Sequence, residues 1–121
     1  MSNKPYDLKL RTKKFAIEIL QFVDGLPNKR STNIIANQIG RSGTSVAANF
    51  RASQRAKSTK DFINKLKISE EECDETLFWL EVLNEGGFYK STKADELMKE
   101  ASELVAIIVK SIQTTRQNSS K

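Results

Sequence analysis

Apolar residues recur at alternating spacings of three and four in four separate stretches of the chain, the period of a helix with one inward face. In the first stretch Leu8, Thr12, Phe15, Ile19, Phe22 and Leu26 share that face, and Asp24-Gly25-Leu26-Pro27 closes it, glycine releasing the helix and proline barring its continuation. The second opens on Ser31 or Thr32 as a cap and turns Ile35, Ile39, Val46, Phe50 and Ser53 inward. Gly40, Ser42, Gly43, Ala47 and Ala48 lie between them, and so many small residues let a neighbouring helix come close. The third starts at the capping signal Ser58-x-x-Asp61, runs through Phe62, Leu66, Ser69, Cys73, Leu80 and Leu83, and stops at Gly86-Gly87. In the fourth, Thr92-x-x-Asp95 opens a line of Leu97, Ala101, Leu104, Ile108 and Ile112, and the polar residues from Gln113 onward predict a frayed end. No tract alternates apolar and polar positions long enough to form a strand. The pattern therefore predicts helices over about 7–25, 32–55, 59–84 and 92–114 in one domain spanning 1–121. Four helices with short connections and one apolar stripe each pack most simply as an all-α, antiparallel up-down-up-down four-helix bundle.

The stripes do not absorb every large apolar group. Phe78 and Trp79 adjoin Leu80, so the three cannot all point inward, and Ile17 and Val82 also lie off their stripes. A second apolar face beyond the core stripe marks a partner surface, so Ile17, Phe78, Trp79 and Val82 are the expected interface of a homo-oligomer.

Composition narrows the chemistry. Apolar residues make up 38% and charged residues 29% of 121, which fits one globular domain with one core. No apolar run approaches the roughly 20 residues needed to span a bilayer, and no apolar signal region opens the chain, so the expected location is cytoplasmic without membrane contact. There is no histidine, which removes the commonest general base and metal ligand, and the single cysteine, Cys73, lies in a core stripe. The acidic run Glu70-Glu71-Glu72, with Asp74 and Glu75, lacks the Glu-x-x-His pairs of a di-iron bundle and wraps around its helix, as a solvated or subunit-facing surface does. Gly40-Arg41-Ser42-Gly43 follows a helix and lacks a Gly-Lys-Ser/Thr end, so it is no phosphate loop, and close helix packing accounts for both glycines. No catalytic residue, metal or cofactor is expected.

The charge is divided unevenly. Residues 1–67 hold 14 Lys and Arg against 4 Asp and Glu, while residues 68–121 hold 6 against 11, within a net charge of +5. Arg41, Arg51, Arg55, Lys57 and Lys60 gather on the second helix and its exit, with Lys9, Arg11, Lys13 and Lys14 on several faces of the first. Such a strip suits contacts with RNA or DNA phosphates, and equally a solvated face or a basic surface meeting an acidic one on the next subunit.

The tract RSGTSVAANFRASQRAKSTKDFINKLKISEEECDETLFWLEVL, from Arg41 to Leu83, resembles the bacterial four-helix-bundle proteins first noticed as open reading frames in 23S ribosomal RNA intervening sequences. RSGTSV, then AN, RA, S-x-x-DF and E-x-DE-x-x-x-WLE in this order is not a generic amphipathic pattern. The resemblance implies an up-down bundle assembled into a ring, typically a homopentamer, without enzymatic activity. That family is also similar to the accessory variability determinant proteins of diversity-generating retroelements, basic pentameric bundles that bind nucleic acid and a reverse transcriptase, which implies those two partners here. Many members carry Glu-Gly after the asparagine of the second helix. This chain has Phe50-Arg51-Ala52 after Asn49, so no role of that glutamate is carried over.

Overall fold

The computed structural model describes residues 7–119, and among them every regular element is a helix. The helices are α1 (Leu8–Asp24), α2 (Arg30–Ser53), α3 (Thr59–Glu85) and α4 (Thr92–Ser119). Each boundary has a local cause. Asp7 caps α1, its Oδ1 accepting from the Leu10 amide at 3.3 Å. At α3 the expected start signal is used: the Ser58 hydroxyl accepts from the Asp61 amide at 3.0 Å, and the Asp61 carboxylate reaches one residue past the cap to accept from the Lys57 amide at 3.2 Å.

Several boundaries differ from those expected. The second helix begins at Arg30 with Lys29 in the cap position and no side-chain cap bond, so neither Ser31 nor Thr32 caps it. Thr32 is buried instead, because it falls one helical turn before Ile35 on the inward line. The fourth helix is capped by Ser91, whose hydroxyl accepts from the Ala94 amide at 3.0 Å, rather than by Thr92. It also runs five residues past position 114, since no glycine or proline interrupts the polar stretch, and the Thr115 hydroxyl donates to the Ser111 carbonyl. Gly25 ends α1 with right-handed torsions, φ −89°, so its stop does not use glycine's left-handed freedom. That freedom is used at Gly87, φ 73°, where the Phe88 and Gly87 amides donate back to the carbonyls of Leu83 and Asn84 in a Schellman turn.

Specific contacts fix the orientation of neighbours. Ile19 of α1 meets Gly43 of α2, and Lys9 and Lys13 share a groove with Arg51. Ser42 pairs with Thr76 of α3 at 2.8 Å, and Ser69 donates to the Val46 carbonyl at 2.8 Å. Cys73 of α3 donates to the Ala101 carbonyl of α4, while Phe62 lies beside Thr115. Arg11 of α1 reaches Glu100 of α4, and Glu18 reaches Lys93. In each pair one residue number rises as the other falls, so all four neighbouring pairs are antiparallel. α1 and α3 stand at opposite corners, and α1 with α4 is the thinnest of the four packed pairs.

The core is the sum of the four stripes. Phe15, Ile19, Ile39, Val46, Leu66, Leu80, Leu83, Leu97, Leu104 and Ile108 are at most 1% exposed. Each such side chain contributes on the order of 1.5–3 kcal/mol of apolar burial. Polar groups on the stripes are all answered: among the described residues no buried side-chain nitrogen or oxygen lacks a partner. At Ser42 and Thr76, one hydroxyl donates to its own helix, to the Gln38 or Glu72 carbonyl, and accepts from the other.

The two glycines of α2 have different reasons. A Cβ at Gly43 would sit 2.8 Å from Ile19 Cγ2, so that glycine permits close packing of α1 on α2, whereas at Gly40 nothing lies within 4 Å. Close packing therefore explains one glycine and not the other. Gly43→Ala should destabilise the fold by about 1–3 kcal/mol through overpacking against a stiff β-branched side chain. Gly40→Ala should stabilise it by about 0.5–1 kcal/mol through helix propensity, and urea midpoints of the two variants test the contrast.

Candidate nucleic-acid interface

The antiparallel order brings the start of α1, the end of α2, the start of α3 and the end of α4 to one end of the bundle. Over residues 7–13, 51–67 and 105–119 that end holds eleven basic residues: Lys9, Arg11, Lys13, Arg51, Arg55, Lys57, Lys60, Lys65, Lys67, Lys110 and Arg116. Only Asp7 and Asp61 oppose them in sign, and both carboxylates are helix-start acceptors. The other described residues carry seven Lys and Arg against thirteen Asp and Glu. Charge is thus graded along the bundle axis, a pattern the linear halves of the chain show only in part.

Four of the five basic residues singled out from sequence lie at this end. Arg51 is exposed on the last turn of α2, Arg55 and Lys57 on the connection to α3, and Lys60 on the first turn of α3. Arg41 lies apart from them, midway along α2. Its guanidinium donates to Glu72 at 3.0 Å and to Glu75, and these bonds, Glu75 foremost, raise its pKa. The acidic run of α3 is therefore in part an intramolecular partner of Arg41 as well as a surface. Lys9 and Lys13, which the sequence shows only as part of a basic set spread over several faces of the first helix, belong to the basic end. Their four-residue spacing was visible, but only the packing of α1 on α2 shows that they face Arg51.

Cations toward the α1–α4 seam are answered by carboxylates. Arg11 donates through Nε and Nη2 to Glu100, at 2.9 and 2.6 Å, and through Nη2 to Glu103 at 2.9 Å. The Glu100 bonds are the main cause of its raised pKa. At the far end of the seam Lys93 donates to Glu18 at 2.8 Å, which raises the lysine pKa. Charge pairs thus bridge the thinnest interface, and at partly exposed sites each adds about 0.2–1 kcal/mol.

The surplus apolar groups are distributed over two corners. Ile17 is 50% exposed on α1, where Leu10 and Leu20 are exposed near it along the helix, and Phe78 is 51% exposed on α3, which also exposes Ile68. Trp79 and Val82 are half-buried against the core, with the Phe78 and Trp79 rings edge to face at 5.0 Å. Ile17 and the α3 group therefore belong to separate faces of one protomer. Ile34, exposed on α2, carries no periodic signal of its own, because its neighbours one turn away, Arg30, Ser31, Asn37 and Gln38, are all polar. The Ser42–Thr76 register places Ile34 level with the end of α3.

Cys73 is fully buried, and burial, followed by the charges of Asp74 and Glu100, pushes its thiol up to about 12. No helix among the described residues is long and apolar enough to cross a membrane, and no group of three or more His, Cys, Asp and Glu among them is placed to hold a metal.

The fold and its surface define an all-α bundle protein with one basic end. Residues 6–110 match the family model described as 23S rRNA-intervening sequence protein, and the chain belongs to that family. A solved structure is similar with a TM-score of 0.79 and 33% identity, covering 86% of this chain and 96% of its own: a protein of unknown function from the S23 ribosomal protein family of Bacteroides thetaiotaomicron VPI-5482. No curated protein matches.

The environment of Cys73 gives a direct test of the core. At pH 8 the thiol should resist a disulfide reagent in the folded protein and react at the rate of unfolding. Between its ordinary value of 9.0 and about 12 the unfolded chain releases this proton while the folded chain keeps it, so stability should fall across that window. Urea titrations at pH 8 and 10, compared with Cys73→Ala, isolate the contribution.

Proposed function

We propose that this protein is a non-enzymatic homo-oligomer whose basic end binds the backbone of RNA or DNA. The observation that carries the reading is the gathering of eleven basic residues from separate chain segments, of which Arg11 and Lys67 are paired with the neighbouring Glu100, Glu103 and Glu70 and the contact-surface cations, among the described residues, are not. Arg51, Arg55, Lys57 and Lys60, joined by Lys9 and Lys13, form the proposed contact surface, and Arg41, held by Glu72 and Glu75, is left out of it. Repetition of the surface around an assembly multiplies weak phosphate contacts into one polyvalent one. Of the two rings near these cations, Phe50 is 7% exposed and Phe62 is half-buried beside Lys57, so recognition rests chiefly on phosphates with little base stacking. The absence of histidine and the raised, buried thiol support a binding role over a catalytic one.

Two apolar faces at opposite corners support a head-to-tail assembly, because such an interface joins two different patches and closes into a ring when the rotation permits. The ring of five implied by the family resemblance has a mass of about five times 13.7 kDa. Light scattering at micromolar concentration should give that value, and a mass of one chain overturns the assembly. Phe78→Asp should lower the mass while helicity by circular dichroism is kept, since half the ring is already exposed.

Log affinity for nucleic acid should fall by about 0.7 to 0.9 per neutralised phosphate for each unit of log salt. Replacing Arg51 and Arg55 with glutamine should weaken binding and flatten the slope without changing the oligomer. If the unaltered protein binds neither RNA nor DNA at about 50 mM salt, where phosphate contacts are strong, the basic end is better read as a subunit or protein contact.

A further inference from the structure

The groove between the first turns of α1 and the last turns of α2 has a volume of about 230 Å³. Lys9 and Lys13 stand on one wall and Arg51 on the other, over a floor that includes Thr12, Ala47 and Phe50. The two lysines are four residues apart, roughly 6 Å along the helix axis. None of the three cations has a carboxylate within ion-pair distance among the described residues. On the same helix, Arg11 and Lys14 both have one. The first turns of α1 therefore sort their cations, the α4 side neutralised and the α2 side left open.

Three like charges around one groove repel one another, and an anion entering the groove relieves that repulsion. The floor restricts what the anion can be attached to. Ala47 and Phe50 offer no side-chain hydrogen bond, and the Thr12 hydroxyl already donates to the Leu8 carbonyl at 2.6 Å, so nothing there reads a base edge. The floor suits an apolar or sugar body. A single carboxylate would answer one charge of the three, whereas a nucleic-acid strand brings phosphate after phosphate. Beyond Arg51, Arg55 and Lys57 carry the basic path onward over the end of the bundle.

We infer that the α1–α2 groove is a backbone seat for a nucleic-acid strand, in which Lys9, Lys13 and Arg51 hold phosphates and the alanine floor takes the sugar between them. The inference rests on the nucleic-acid reading above and adds to it where the strand lies.

The test uses the full chain and a fluorescently labelled single-stranded oligonucleotide of mixed sequence in a salt titration. The triple variant K9Q/K13Q/R51Q is compared with K29Q/R30Q/K90Q, which removes the same charge from the opposite end of the bundle. The groove variant should lose about tenfold or more in affinity, and its salt slope should fall by roughly two, three contacts at about 0.7 each. The opposite-end variant should bind as the unaltered protein does. Ala48→Phe, which keeps every charge and puts a ring into the groove, should also weaken binding, so the outcome does not hang on one variant. If the unaltered protein binds no oligonucleotide, the nucleic-acid reading itself fails. If it binds and the two triple variants lose affinity equally, or Ala48→Phe binds normally, the groove is no seat and the charges act collectively. If the groove variant binds normally but its assembly falls apart in light scattering, the groove receives an acidic face of a neighbouring copy and the inference is overturned.

Discussion

Two consecutive residues of α2, Ser42 and Gly43, set the register on which the rest of the bundle depends. Ser42 turns toward α3 and shares a buried hydroxyl pair with Thr76, while Gly43 turns toward α1 and leaves the space that Ile19 fills. The hydroxyl pair is directional and contributes on the order of 1 kcal/mol, and an unpaired hydroxyl there would cost about 1–3 kcal/mol, so a slip of either helix is penalised. The glycine contact is steric and equally local, because a Cβ one residue away would have no such pocket to face. Between them they lock α1, α2 and α3 in antiparallel register, and Cys73 against Ala101 ties α4 to the same layer.

That register decides the electrostatics. With α2 as the shared neighbour of α1 and α3, the start of α1 must lie beside the end of α2 and the start of α3, and the basic turns of all three are stacked at one end. Their mutual repulsion is a cost that the apolar core outweighs, since exposed charges in water interact by about 1 kcal/mol or less while each buried stripe residue contributes more. Where cations lie beside the thin α1–α4 seam, the chain supplies Glu100, Glu103 and Glu18 as partners. Where Lys9, Lys13 and Arg51 face the α1–α2 groove, it supplies no carboxylate within ion-pair distance among the described residues, while at the exposed end Lys67 has Glu70. A pairing rule that holds along one side of a helix and lapses along the other is the physical basis for reading the open side as a surface for an anion.

The apolar surplus follows a similar logic. Ile17 and Phe78 are exposed because their helices already turn a full stripe inward, and a helix cannot bury two faces against one core. Trp79 and Val82 show an intermediate outcome: flanking the stripe, they lean onto its edge and are half-buried. The apolar corners lie away from the basic end except at Leu10 on the first turn of α1, so an assembly through Ile17 and Phe78 leaves most of that end free for a ligand.

The sequence by itself determined the four helices, the inward line of each and the Ser58–Asp61 start signal, because helical periodicity and capping are local properties of neighbouring residues. Its helix ends were less secure where a local signal competed with burial, as at Thr32, or where nothing interrupted a polar run, as after Thr114. It also gave the odd apolar residues Ile17 and Phe78 and the basic cluster Arg51 to Lys60, which are contiguous or nearly so. Only the tertiary structure decided which charges are answered. Arg41 reaches carboxylates more than thirty positions away, and Lys9 and Lys13 meet Arg51 across about forty residues of chain. Coulomb interactions and grooves depend on distance in space, and no periodicity along a chain encodes the register in which two helices pack; the buried contacts at Ile19, Ser42 and Gly43 do that.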